Sequence, residues 1–490
     1  MRQLRTPSPP LVVRRSSIRG LVRRKLPFLP VFAQSVAAIA PSGTAAVTPP
    51  FVISAVGGGA SVLVFLAAAV LAVCVALVIR PMAQRLAVTG GLYTYVAKGL
   101  GPSVAIPVGW SAIVGYGAVS VSSLFAVGTY LDQVAGAAGM AGSGSTFAIV
   151  LIVVLAATIA LLLMARGIRI SAGTTLLIEC VSVAGILALM VYLMTRDNQT
   201  PRIPHDFVAP VDPGTLAISA VLAISAFVGF ESATTLSSES YRPFRSVPRT
   251  LVWTPVAAGV IYLVAVCGQS VALSDGSVTV SESMTPVTDL LLRDNSAFLA
   301  GVVDLGIAAS FFACTLASMN ALVRVLFTMG REGIAPAVVG RAHPRFHTPA
   351  HAIVLSMLVV TSCAVVALLA GMAPQDGIRS FLTLSALGYL GSYLPACLAG
   401  PALLHRIRES SRVITVLGTV TAVLLALLVV AACFSNQSYN TELLLSYAAV
   451  MVASLVFTLG LRIFAPERLR GVGIYDEPQR ADLLQTETFR

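Results

Sequence analysis

The sequence predicts an all-α integral membrane protein of about twelve transmembrane helices, ordered as a 5+5 inverted repeat plus two C-terminal helices. Three observations predict it. Of the 490 residues, 57% are apolar and only 11% charged, and the mean hydropathy is +0.88. The apolar stretches reach the roughly 20 residues that a helix needs to cross a bilayer. Two short interruptions, Ala40-Pro41-Ser42-Gly43-Thr44 and Phe227-Val228-Gly229-Phe230-Glu231, each fall inside the first span of a five-span block.

The elements follow in chain order. A basic tail covers 1–27. The first five spans are read at 28–53, 61–80, 103–135, 146–165 and 171–194. A loop at 195–213, rich in Pro and Asp, leads to spans at 214–238, 250–273, 297–328, 350–371 and 379–404. The third and eighth spans are long enough to tilt strongly or to leave the membrane. Five is odd, so the second block, 214–404, is inverted relative to the first, 28–194. Spans at 413–433 and 443–464 form an added pair within 405–464, and 465–490 is a polar C-terminal tail expected to be poorly ordered. In the loop 274–296, Val287, Leu290, Leu291 and Leu292 suit a short amphipathic helix lying on the outer membrane surface. The seven cysteines, Cys74, Cys180, Cys267, Cys314, Cys363, Cys397 and Cys433, fall one to a span without a close pair. They read as small core residues rather than a disulfide or redox site.

Orientation follows from the basic residues. Under an even span count only Arg196, Arg202, Arg293 and Arg379 fall on one side, leaving 28 of the 32 Lys and Arg on the other. The positive-inside rule makes the richer side cytoplasmic, with both termini inside a multi-pass protein of the cell membrane. The net charge of +11 is accounted for by anionic lipid heads and implies no nucleic-acid partner. The N-terminal apolar run is span-length and lacks a small-residue cleavage site, so a signal peptide is not expected.

The two interruptions carry the functional reading. Proline lacks an N–H and glycine relaxes the backbone, so a helix breaks there. A broken helix facing lipid would strand polar groups; it persists only within protein or along a wet cavity. Broken helices in corresponding halves mark the midplane binding site of a secondary transporter. Ser42, Gly43 and Thr44 begin the second half-helix, where free N–H groups suit a carboxylate. The carbonyls near Ala38 to Ala40, beside Pro41, suit an ammonium group. Ser225, Ala226, Phe227, Val228 and Gly229 offer a second set. Together these match the two charges of an amino acid backbone.

A family resemblance sharpens this reading. Phe227-Val228-Gly229-Phe230-Glu231, followed by Glu239, Pro243 and Val247-Pro248-Arg249, resembles the sixth-helix signature of amino acid–polyamine–organocation permeases. Asn320-Ala321-x-x-Arg324 with Met329-Gly330-Arg331-Glu332-Gly333-x-x-Pro336, Thr348-Pro349, and Gly90-Gly91-x-Tyr93 with Leu100-Gly101-Pro102 fit other signatures of that family in order. The resemblance covers roughly 30–465. It implies the LeuT-like inverted-repeat fold and alternating-access transport of amino acids or related amines, by symport or antiport. The chain departs at the first break, where many relatives carry a Gly-Ser-Gly-type stretch and this one has Pro41-Ser42-Gly43.

Coupling by protons or by exchange is what the resemblance implies. Intramembrane acids are the suspects, because an ionised side chain costs about 2.5–3.5 kcal/mol on insertion scales. Glu231, beside the second break, is the leading proton carrier, or else an acid bonded to broken-helix N–H groups. Glu179 is a second candidate, or else a helix-packing contact. Asp304 sits near the outer end, where water reaches it. No lysine lies between 170 and 195, against a lysine switch of the kind some relatives carry. Thr315 and Ser318 are the hydroxyls a sodium site would use, and sodium is the less favoured ion. Phe227, Phe230, Trp110, Tyr116 and Phe125 are candidates to wall an apolar pocket, with Tyr116 a substrate-binding candidate, and the lean is to neutral amino acids. His343, His347 and His351 are interrupted by Pro344 and Pro349 and read as a loop, not a zinc site. No cofactor is implied, and no phosphate loop, HExxH or nucleophile elbow points to an enzyme. The alternatives are a sodium-coupled amine or organic-cation transporter and a transporter-like amino acid sensor. Nothing in the sequence specifies an oligomeric state.

The orientation is directly testable. A cysteine introduced at position 285 is expected to react with an impermeant thiol reagent added outside, and one at 340 is expected not to. The reverse labelling pattern would refute the topology.

Overall fold

Proline and glycine set the helix ends. Pro41, Pro102, Pro213, Pro243 and Pro374 sit in the first turn of their helices, where a missing N–H costs nothing. Gly57 and Gly167 hold positive φ at one-residue joints between consecutive helices, a conformation that only glycine takes cheaply. The computed structural model describes residues 21, 23, 25–140, 142–196, 211–273, 286–293, 296–344, 346–433 and 438–475. Most of the basic N-terminal tail, most of the loop 195–213 and positions 274–285 lie outside them.

The described helices are α1 (Phe28–Ile39), α2 (Pro41–Val56), α3 (Gly58–Ala83), α4 (Leu92–Gly99), α5 (Pro102–Ala137), α6 (Thr146–Arg166), α7 (Ile168–Arg196) and α8 (Pro213–Ser225). A 3₁₀ segment, Phe230–Leu236, follows. Then come α9 (Pro243–Ala272), α10 (Pro286–Arg293), α11 (Ala297–Arg331), α12 (Ala350–Leu369), α13 (Pro374–Arg406), α14 (Arg412–Cys433), α15 (Ser438–Phe464) and α16 (Pro466–Arg470). Among the described residues, ten spans are long and apolar enough to cross a membrane, with α1 and α2 forming one; α8 plus the 3₁₀ segment makes an eleventh. The protein is an all-α, multi-pass membrane protein.

The long helices α5, α11 and α13 form the centre, and α3 packs along α9. Small residues let the central backbones close. A side chain at Gly388 would collide with the Gly115 backbone. Ser111 donates to the Gly388 carbonyl (2.6 Å) and Ser385 to the Gly115 carbonyl (3.0 Å). Such hydroxyl bonds replace the hydrophobic drive that lipid cannot supply between helices. Outward faces are apolar, as at Phe147, Phe298, Leu427 and Leu455, which are all exposed.

The basic-rich end is closed by side chains from distant elements. Lys25 and Leu26 donate backbone N–H groups to the Glu239 carbonyl at 2.8 and 2.9 Å. The Glu239 carboxylate is buried and accepts from Arg324 Nε at 2.7 Å. Four expectations need correction here. The start of the C-terminal tail is ordered through Tyr475: Gly473 and Tyr475 donate N–H groups to Glu332 Oε1 at 2.9 and 3.2 Å, while Tyr93 donates to Glu332 Oε2. Helix α10 does not lay its apolar face on lipid: Val287, Leu290 and Leu291 are buried in the protein and only Leu292 points out. Asp304 is not a wet outer acid, because α10 covers it and Thr288 donates to it. The cysteines are not uniformly core residues: Cys314 and Cys397 are buried, Cys74 and Cys267 partly so, and Cys180 and Cys363 exposed, since a thiol is tolerated equally by lipid. The side chain of Cys433 lies outside the described residues.

The Arg324–Glu239 pair gives a stability test. Removing one partner strands a buried charge, which costs about 3–5 kcal/mol. Arg324→Met is expected to lower the unfolding temperature in detergent clearly. Arg85→Met, which breaks the exposed Arg85–Glu409 pair, is expected to change stability by no more than about 1 kcal/mol. Equal melting of the two variants would contradict this ranking.

Candidate functional site

The first break is one residue wide. Ala40 closes α1 with its N–H on the Ala37 carbonyl (3.1 Å) and turns left-handed, with φ 42° and ψ 62°. A left-handed non-glycine costs roughly 1–2 kcal/mol, so the surroundings must hold it. Pro41 follows without an N–H, and α2 therefore begins with Ser42 and Gly43 as its first backbone donors. Thr44 already bonds back to the Ala40 carbonyl at 2.8 Å.

Those donors are not free, which corrects the expectation for Ser42 and Gly43. The Ser42 N–H and its hydroxyl both donate to Glu179 Oε1, each at 3.1 Å. The Gly43 N–H donates to Ser310 Oγ at 3.2 Å, and Ser310 passes its own proton to the same Glu179 oxygen at 2.8 Å. A Cβ on Gly43 would lie 2.8 Å from the Phe311 ring, so that face is also covered. The carbonyl ends are capped too. Ala38 accepts from Cys314 Sγ (3.2 Å), and Ile39 accepts from Tyr262 (3.1 Å) and Thr44 (2.9 Å).

The second break unwinds over four residues. Ala226 and Phe227 bond three residues back, to Ala223 and Ile224, tightening the end of α8. Gly229 then takes φ +99°, and the chain resumes as the 3₁₀ segment at a 40° bend. Ser225, Ala226, Phe227 and Val228 are all buried. The Gly229 N–H donates to Tyr393 Oη at 3.3 Å.

The breaks meet. A Cβ on Gly229 would lie 2.9 Å from the Ala38 carbonyl oxygen, so glycine is required both for φ and for space. Ser35 donates to the Phe230 carbonyl, Ser232 to the Gln34 carbonyl (3.3 Å), and Gln34 Nε2 to the Ala317 carbonyl on α11 (2.7 Å). Just beyond, Glu231 is fully buried and held at both oxygens: Tyr116 of α5 donates to Oε1 at 2.8 Å and Tyr393 of α13 to Oε2. Tyr389 joins them, with ring centroids 5.1 Å from Tyr116 and 5.8 Å from Tyr393.

Other sequence candidates separate. Phe227 packs on Tyr262 (5.1 Å) and Phe230 on Tyr393 (5.6 Å), both beside the breaks. Trp110 instead meets Phe457 of α15, and Phe125 meets Phe381 of α13, so neither forms one wall with them. Thr315 turns its hydroxyl to the Phe311 carbonyl of its own helix at 3.1 Å. His343 and His347 lie in the loop before α12, and His351 in its first turn. Sequence reasoning missed Ser310, Tyr262, Tyr389 and Tyr393. The four-residue spacing of Tyr389 and Tyr393, two phenols on one face of an apolar span, is the signal that was available.

Comparisons with known proteins agree with this architecture. A family model described as "Amino acid permease" matches residues 26–459. The chain belongs to that family, within the amino acid–polyamine–organocation superfamily. It is 25% identical to the branched-chain amino acid permease BcaP of Bacillus subtilis, over 63% of this chain and 66% of that protein. It is 25% identical to a methylthioribose transporter of the same organism, over 61% and 65%. With the low-affinity putrescine importer PlaP of Escherichia coli K12 it shares 24% over 56% and 60%. The chain thus spans 66%, 65% and 60% of these three relatives, less than two thirds of each.

The Gly229–Ala38 approach yields a test. Gly229→Ala adds both a strained φ and a backbone collision, and is expected to cost about 1–3 kcal/mol or more. Gly117→Ala meets only Leu322 at an ordinary 3.6 Å and is expected to be near neutral. Unfolding temperatures of both in detergent check this; an unperturbed Gly229→Ala would refute the close packing of the breaks.

Proposed function

We propose that this member of the amino acid permease family is a secondary transporter of the cell membrane. It carries amino acids or related amines by alternating access, coupled to protons or to exchange, with both termini cytoplasmic. The observation that supports this best is the pairing of two interrupted helices at Ala40 and Gly229, each with its freed backbone groups bound by protein side chains. The partners come from α7, α9, α11 and α13, and broken helices in corresponding halves are how secondary transporters build a midplane site. The relatives named above as amino acid permease, methylthioribose transporter and putrescine importer are all small-molecule carriers, which supports the substrate class.

In this reading the cargo sits between the breaks, reached when the first block, 28–194, and the inverted block, 214–404, rock against one another. The side chains now on the Ala38 and Ile39 carbonyls mark positions that cargo or ions exchange with. Glu231 is placed to sense that movement, because it follows the Gly229 hinge and is gripped by α5 and α13 together. A shift of either helix withdraws a phenol donor and makes a proton the next best partner for that oxygen.

Reconstituted uptake tests the reading. Wild-type proteoliposomes are expected to accumulate a labelled amino acid or amine, faster with an inward proton gradient. Glu231→Gln keeps the size, and its amide can donate back to a phenol oxygen, so binding is expected to persist. Gradient-driven accumulation is expected to fall at least tenfold, with counterflow exchange retained. Unchanged gradient-driven accumulation in this variant would remove Glu231 as the proton carrier.

A further inference from the structure

Glu179 is the one charged side chain at the first break, and its two oxygens are treated very differently. Oε1 takes all three donors described above, from Ser42 and Ser310. Oε2 is buried and has no hydrogen-bond partner, on a residue only 1% exposed. Leaving a buried polar atom unpaired costs about 1–3 kcal/mol, more for a charged group, so the site is incomplete as it stands. What it lacks is a donor, and for a carboxylate the strongest donor is a cation.

Among the described residues the protein does not supply one. Neither 28–56 nor 213–240 contains a Lys, Arg or His. Among the described residues, the buried charged side chains are Asp132, Glu179, Glu231, Glu239, Asp304 and Glu332 against Arg324 alone, and Arg324 is committed to Glu239. The interior is thus set for positive charge from outside.

Room lies beside Ser42, which donates to the carboxylate, and it opens past the exposed Val181, Tyr192, Leu299 and Val302. A cavity of about 430 Å³ runs between α7 and α11 and ends at Ser42. Its walls include Ser182 and Ile186, three and seven residues beyond Glu179 and so on the same face of α7. They also include Ile307 and Val303, three and seven residues before Ser310 on α11. The cavity therefore continues the seam that Glu179 and Ser310 close, and apart from two serines and a tyrosine its lining is aliphatic or glycine.

We propose that Glu179 is a built-in carboxylate: it fills the anion position at the start of α2, so the preferred cargo is an apolar organic amine without a carboxylate of its own, whose ammonium group pairs with Glu179 Oε2. The inference rests on the transporter reading above and narrows its substrate class. An amino acid would have to expel Glu179 from three donors into an apolar seam before its own carboxylate reached Ser42. A decarboxylated amine keeps those donors in place and adds the missing partner. This reverses the lean toward neutral amino acids.

Matched pairs on the full-length protein in proteoliposomes test it: 3-methylbutylamine against leucine, and 2-phenylethylamine against phenylalanine. Wild type is expected to take up each amine at least tenfold better than its amino acid. Glu179→Gln retains the Oε1 acceptor but replaces Oε2 with an amide nitrogen; it is expected to lose amine uptake at least tenfold at an unchanged unfolding temperature. Glu179→Ala vacates the anion position and is expected to raise the amino-acid-to-amine ratio at least tenfold. Wild-type uptake of the amino acids equal to that of the amines overturns the proposal while leaving the transporter reading intact, and so does an unchanged ratio in both variants. Should neither variant fold, the wild-type pairs alone decide. If wild type neither binds nor moves any of the four compounds, the transporter reading fails and this inference with it.

Discussion

Every backbone N–H and C=O inside a bilayer needs a partner within the protein, and this requirement governs the centre of the molecule. An unbroken helix meets it alone; the interruptions at Ala40 and Gly229 do not. The freed groups are met one by one by side chains. Glu179 and Ser310 take the N–H groups of Ser42 and Gly43, Cys314 and Tyr262 cap Ala38 and Ile39, and Tyr393 takes the Gly229 N–H. Beyond the break itself, Gln269 Nε2 on α9 donates to the Ala45 carbonyl at 2.7 Å. The partners come from α7, α9, α11 and α13, so the two breaks tie most of the central helices together.

The same requirement separates the two buried acids. Glu231 is held at both oxygens by phenols, from Tyr116 of α5 and Tyr393 of α13, just beyond the bend at Gly229. Glu179 takes three donors on one oxygen and none on the other. A single low-dielectric interior can hold both because each is stabilised by donors rather than by a basic partner. Arg324 and Glu239, by contrast, form a closed pair at the basic-rich end. The functional asymmetry of the protein lies in which buried charges are completed internally.

The periphery shows where composition misleads. Val287, Leu290 and Leu291 have the spacing of a lipid-lying helix, yet they pack on protein, because Thr288 finds Asp304 and draws α10 inward. The polar segment after Pro466 has the composition of a loose tail, yet Tyr475 packs on Phe327, with centroids 5.9 Å apart, and two of its backbone N–H groups reach Glu332. In both cases one buried acid with spare acceptor capacity decided the fate of a segment that its own residues left open.

The sequence by itself determined that the chain crosses a membrane many times, that it is helical and where two of its helices break. Those properties are local: apolar length fixes a span, and Pro41 and Gly229 interrupt helices through their own backbone chemistry. The family motifs were legible for the same reason, being short and contiguous. What fills the breaks was not legible. Glu179 lies 137 residues from Ser42, Ser310 lies 267 from Gly43, and Tyr393 lies 164 from Gly229. Periodicity shows which face of α7 carries Glu179 but not which helix crosses that face. Only the packing of α2 between α7 and α11 decided that a site read as open for a carboxylate already contains one.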